Sequence, residues 1–218
     1  MRTMAIVASG TSLLGRSLGE EIDAHDGVTR FGGAEWSLDL GVNTEDVGKR
    51  YTHWVINGHA PALHRCRDRS YMGYYEGVTV LFKEKNWGKK WSIPHIGLKT
   101  RTRRSLKRNK VHFRTLTRGK CTSQISKSGV RWLGGKSVFS AGFQAAMDTL
   151  GRFDLVTLYG FDHMYPECRT RGHYYDTKKW VDNGHKLGHE SLALECLTIE
   201  STVSPVCGTI YKRGGDGE

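Results

Sequence analysis

The chain has 218 residues, 38% of them hydrophobic, and a formal charge of +11 from 33 basic and 22 acidic residues. That apolar content is enough for one well-buried domain and too much for a disordered chain, and no apolar run approaches the ~20 residues of a membrane span. The excess positive charge, much of it between Lys83 and Lys120, implies an anionic partner: nucleic acid, a membrane surface or a negatively charged small substrate.

Five scattered cysteines (Cys66, Cys121, Cys168, Cys196, Cys207) form no CxxC or Cys/His zinc spacing, so structural thiols in a reduced compartment are expected. The opening MRT runs straight into a strand and a polar turn without a signal-peptide layout, and a cytoplasmic protein is expected. With 27 Gly and four Pro, tight turns are plentiful and no rigid linker stands out.

Met4 to Ala8 reads as a short buried strand, followed by a turn of small and hydroxylated residues, Ser9, Gly10, Thr11 and Ser12. Leu13, Leu14, Leu18 and Ile22 recur at helical spacing and predict a helix. A strand, a small-residue turn and a helix start make an anion cradle, although any opening βα unit shares that outline. No GxGxxG or GxxxxGK[ST] loop occurs, which disfavours the usual dinucleotide and Walker sites.

GVTRF, Gly27 to Phe31, predicts a second strand; EDVGKR a polar loop; Tyr51 to Asn57 a third strand; and GVTVLF, Gly77 to Phe82, a fourth. Residues 60–69 read as a weak helix. Lys83–Lys110 reads as either a solvated loop or a basic surface helix, and no element is evident between it and Ser137. Phe139, Phe143, Ala146, Met147 and Leu150 give helical spacing, opened by Ser140, Ala141 and Gly142. DLVTLYGFD, Asp154 to Asp162, predicts a central buried strand. A helix leading into such a strand means a mostly parallel sheet in an α/β, Rossmann-like domain. Residues 163–188 are polar, aromatic and aperiodic, as active-site lids often are. HESLALECLTIES predicts the last helix, and VCGTIYK a final edge strand.

LGEEIDAHDGVTRFG together with EDVGKRYTH resembles the large motif of the animal-type sialyltransferases, glycosyltransferase family twenty-nine. Gly19, Ile22, Asp23, His25, Asp26, Val28 and Arg30 fit its first half, and Asp46, Val47, Gly48, Arg50, Thr52 and His53 its second. FSAGFQAAMDTLGRFDLVTLYGFD is similar to the small motif, GHYYD (Gly172 to Asp176) to the third, and HKLGHE to the very small His-x4-Glu motif. HKLGHESLALE and Asp176-Thr177-Lys178 also resemble the bacterial lipooligosaccharide sialyltransferases, family forty-two. These motifs leave about residues 60–135 unmatched. Ser9 and Gly32 stand where the animal family has asparagines on the nucleotide, Ala141 replaces the Thr of its S-T-G, and its motif-joining cysteines are absent.

The resemblance implies a single domain over residues 1–218, a variant GT-A-like sialyltransferase fold with the 163–188 segment as lid. It implies an inverting, metal-independent transfer of an acidic sugar from a CMP-sugar donor to a glycan or glycolipid acceptor. No cofactor beyond that donor substrate is implied. In that chemistry a near-neutral histidine is the economical base for the acceptor hydroxyl. His189 matches the bacterial base and is preferred; His185 matches the animal spacing to Glu190. His173 would help the phosphate depart, with Tyr165 and Tyr174 as hydroxyl donors. Ser9, Gly10, Thr11, Asn57, Ser140, Ala141, Gly142, Gly160 and Phe161 would line the CMP pocket. Asp23 and Asp26 are expected to cap and brace the loop after the first helix. A CMP-Kdo transferase is the neighbouring alternative, and a non-catalytic nucleotide- or nucleic-acid-binding protein using Lys99–Lys110 the distant one. No nucleic-acid partner is expected, and the charge suits peripheral contact with an anionic membrane surface.

Overall fold

In the computed structural model the described residues are 1–32, 41, 43–57, 77–83, 100–101, 103–116, 118–127, 139–150, 152–162, 190, 193–194 and 211–212. Among them, seven strands form one sheet: β1 (Thr3–Val7), β2 (Gly27–Phe31), β3 (His53–Asn57), β4 (Thr79–Lys83), β5 (Phe113–Leu116), β6 (Leu155–Tyr159) and β7 (Tyr211–Lys212). Their order is β5-β4-β3-β2-β1-β6-β7. All pairs are parallel except β6–β7 at the edge. This is the α/β, Rossmann-like sheet that the sequence predicts.

Alternation along β1 sets both faces of the sheet. Met4, Ile6 and Ala8 join Val55, Leu81, Phe143, Ala146, Val156 and Leu158 in the larger core cluster. Ala5 and Val7 join Leu13, Ile22, Val28, Val47 and Tyr159 on the other side. The larger cluster is covered by α3 (Arg118–Lys127) and α4 (Ala141–Thr149), which carry Cys121 and Ile125, and Phe143 and Met147, into it. The smaller one is covered by α1 (Gly19–Asp23) and α2 (Thr44–Val47).

Three expectations need correction. The helix predicted from Leu13 onward is two pieces: a 3-10 turn, Thr11–Leu13, and α1 starting at Gly19. Between them Gly15 and Ser17 take φ of 73° and 54°, left-handed backbone that breaks a helix. EDVGKR is not wholly loop, since Glu45, Asp46 and Val47 lie in α2. The stretch without an evident element contains β5 and α3. The basic segment is helical over residues 103–108, the second of its two readings. The weak helix at residues 60–69 and most of the last helix lie outside the described residues.

Candidate active site

β1 lies between β2 and β6, so the strand order reverses there, and the expected ligand crevice lies beyond the carboxyl ends of β1 and β6. Open α/β sheets bind ligands at such a switch point. Two predicted segments form its walls: Ser9–Ser12 after β1 and Gly160–Asp162 after β6. They are tied together. Gly10 N–H donates to the Gly160 carbonyl at 2.9 Å, and Ser12 N–H donates to Asp162 Oδ2 at 2.8 Å. The Ser12 hydroxyl donates to Asp162 Oδ1. A side chain on Gly10 would collide with the Asp162 carboxyl and the Gly160 carbonyl. Gly160 itself sits at φ 66°, which glycine adopts without penalty.

The opening turn is thus not the open anion cradle its outline suggests. The N–H groups of Gly10 and Ser12 are already used, one of them on a carboxylate that is 6% exposed. A buried negative charge beside the turn opposes a phosphate there.

The second expected small-residue start is the N-terminus of α4. Ser140 caps it, its hydroxyl accepting from Phe143 N–H at 3.1 Å. Ser140 N–H donates to Glu190 Oε1 at 2.7 Å, and both groups are buried. Gly142 packs against the Phe161 ring, leaving no room for a Cβ. Phe161 is fully buried, so its ring supports the helix start and the crevice is offered its backbone. The Ser140 motif, the Gly160 motif and the opening turn therefore meet at one place. Asn57 ends β3, paired with Lys83 of β4, two strands from β1.

The large motif lies elsewhere. Asp26 accepts from Thr3 N–H, at the start of β1, at 2.7 Å; that bond holds its carboxyl below the usual range. Asp23 accepts from Lys49 N–H and Arg50 N–H at 3.0 and 2.9 Å. Arg50 donates to the carbonyls of Asp23, His25 and Asp26. Arg30, fully buried, donates to the Arg50 and Val47 carbonyls at 2.9 and 2.6 Å. These residues lock the segments before β2 and β3 at the amino edge of the sheet. Asp46 accepts from Gly15, Arg16 and Ser17 N–H at 2.8 to 2.9 Å. Burial pushes its carboxyl up, but those three bonds outweigh it and hold it below the usual range. A side chain at Gly48, φ 68°, would strike Asp23. Asp23 and Asp26 brace this region as expected from the sequence, although neither caps a helix.

His53, the last residue of the large motif, opens β3. Burial, reinforced by Arg114 nearby, pushes its pKa down to about 4, so it is neutral near pH 7. Its Nδ1 lies 2.8 Å from Thr52 Oγ1. Arg114 and Asp148 pair at 2.9 Å beside it. This group also sits at the amino edge, away from the crevice.

His173, His185, His189, Tyr165 and Tyr174 lie outside the described residues. Three groups that organise the crevice, Ser12, Asp162 and Glu190, were not among the expected site residues. The signal for Asp162 was an acidic residue three positions after a buried strand, at the expected ligand edge. Among the described residues no group of three or more His, Cys, Asp and Glu side chains is placed to hold a metal.

The model of glycosyltransferase family 29 (sialyltransferase) matches residues 1–202. The chain belongs to that family. A 57-residue stretch is 46% identical to beta-galactoside alpha-2,6-sialyltransferase 2 of Bos taurus, covering 26% of this chain and 11% of that protein. The fold is similar to that of a mammalian sialyltransferase crystallised with Gal-beta-1-3GalNAc-ortho-nitrophenol, at a TM-score of 0.51 and 19% identity. A second mammalian sialyltransferase structure gives a TM-score of 0.53 at 18% identity. Both alignments cover 90% of this chain but 65% of the solved one, so this family 29 member spans about two thirds of their length.

Proposed function

We propose that this chain is a sialyltransferase, moving sialic acid from CMP-sialic acid to a glycan acceptor with inversion and without a metal. One observation carries the proposal: within a chain matched to the family from residue 1 to 202, the opening turn, the Ser140 motif and the Gly160 motif converge at the sheet's switch point. In this reading the CMP lies across that crevice, against Ser9, Gly10, Thr11, Ser140, Ala141, Gly142 and Gly160, with Asn57 at its far end. The charge of Asp162 turns the phosphate away from the opening turn, toward the start of α4 and the segment bearing the histidines.

The transfer needs a proton acceptor and a stabilised leaving group. The acceptor oxygen attacks the anomeric carbon from the face opposite the phosphate and gives its proton to His189. The bond from the anomeric carbon to the phosphate oxygen breaks, and CMP departs, its charge met by His173 and the hydroxyls of Tyr165 and Tyr174. Ser140 N–H donates to Glu190, which brings the chain next to His189 against the start of α4; the preference for His189 over His185 rests on the match to the bacterial base.

The test is release of CMP from CMP-sialic acid with a panel of galactosides and EDTA present. Transfer should proceed and should be abolished in His189→Ala but retained in His185→Ala. Absence of both hydrolysis and transfer would contradict the assignment. Faster turnover of CMP-Kdo than of CMP-sialic acid would change the donor and keep the chemistry.

A further inference from the structure

The excess positive charge of this chain comes from one stretch of the sequence. Of the 33 basic residues, 16 fall between Lys85 and Met147, with no Asp or Glu among them; the rest of the chain has 17 basic and 22 acidic residues. In that stretch the described basic residues from Arg101 to Arg114 lie on the β5 side of the sheet. The helical residues 103–108 lead into β5 and lie against it. Leu106 is fully buried, its carbonyl accepting from Val111 N–H at 2.9 Å. Arg103 donates to Thr115 Oγ1 of β5 at 3.2 Å. Arg101, Arg104, Lys107, Arg108 and Lys110 are exposed. Positions 101, 104 and 108 fall on one helix face, with Lys107 beside them.

These cations are remote from the crevice. β5 is four strand steps from β1, roughly 19 Å at strand spacing, more than twice the ~8 Å screening length at physiological salt. They do not hold the donor's phosphate.

We propose that this flank is a docking surface for an anionic lipid bilayer. A short helix tied to β5 by the Arg103–Thr115 bond and the Leu106–Val111 turn carries five exposed cations within ten residues, a dense array that suits a layer of anionic headgroups. Asn109, the amide within the array, turns its side chain back to the Ser105 carbonyl at 2.9 Å, so it is not extended as a reader of base edges. The run 101–110 contains no aromatic residue, so it supplies no stacking platform for single-stranded bases itself. Diffuse attraction to anionic headgroups needs neither, and each cation near such a surface strengthens binding by about fivefold.

Co-sedimentation of the full chain with vesicles tests this, using phosphatidylcholine alone and phosphatidylcholine carrying about 30% phosphatidylserine. The chain should pellet with the anionic vesicles only, and should be released as salt rises from about 0.1 M to about 0.5 M. The combined variant Arg101→Gln, Arg104→Gln, Lys107→Gln, Arg108→Gln should bind several-hundredfold more weakly at about 0.1 M salt, with its thermal unfolding unchanged. Equal binding to neutral vesicles, no binding to anionic ones, or tighter binding of a mixed-sequence duplex RNA at the same salt would overturn the proposal. Should the variant not fold, the lipid and salt arms with the unaltered chain decide it.

Discussion

The two edges of the sheet use similar residues for different ends. At the amino edge Asp23, Asp26, Arg30 and Arg50 spend their hydrogen bonds on the chain's own backbone, joining the segments before β2 and β3. At the carboxyl edge Asp162 and Glu190 also bind backbone N–H groups, but those belong to the turn and helix start that face the switch point. The described residues of the most conspicuous motif in the sequence therefore form a scaffold, and the proposed donor site falls to the less conspicuous small-residue segments. A carboxylate alone does not reveal which edge it serves; its acceptor bonds and its place in the strand order do.

Substitutions at the two edges should separate stability from binding. Arg30→Ala strikes the scaffold hardest. It leaves the buried Val47 carbonyl and the part-buried Arg50 carbonyl without their donor and should cost about 3 kcal/mol or more, a fall in Tm of roughly 10 °C. Calorimetry would show this, while whatever folded protein remains should bind CMP with unaltered affinity. Asp162→Ala should behave in the opposite way. It should cost about 1–3 kcal/mol through the orphaned Ser12 N–H, and CMP affinity in titration calorimetry should drop at least about tenfold as the turn loosens. Unchanged affinity in that variant would mean that the tie between the two walls does not shape the donor site.

The smallest effect concerns His53. Its pKa falls from 6.5 to about 4 in the fold, so between those values the unfolded chain binds the extra proton. Stability is then fully present above about pH 6.5 and is lost as pH falls toward 4, by about 1–3 kcal/mol. Denaturant unfolding at stepped pH should show this slope, and His53→Gln should flatten it. A slope unaltered by that substitution would place the acid sensitivity elsewhere.

Sheet and core were largely legible because both faces of β1 and β6 are buried, giving short, mostly apolar runs bounded by polar residues. β2 falls at Gly27–Phe31 as read, since Asp26 and Gly32 flank it. The first helix was misread because Leu13 and Ile22 share one core cluster while lying on separate elements; apolar spacing marked a common core and not a continuous helix. β5 and α3 left a faint trace. Leu116 is the buried residue of β5, and Cys121 and Ile125 are the buried pair of α3 amid polar side chains, too few for a periodicity to register. At the site, the small residues of the turn were evident, but their internal partner was not. Ser12 and Asp162 are 150 positions apart, and only the β1–β6 pairing brings them together.

The central claim is that the ligand edge is the carboxyl end of β1 and β6, with the large motif as its support. Amide NMR of the labelled chain titrated with CMP tests it most directly. Shifts should concentrate at residues 8–12, 140–142 and 160–162 and leave residues 23–30 and 46–50 in place. Shifts centred on the Asp23, Asp46 and Arg50 amides, with the switch-point residues unmoved, would contradict it.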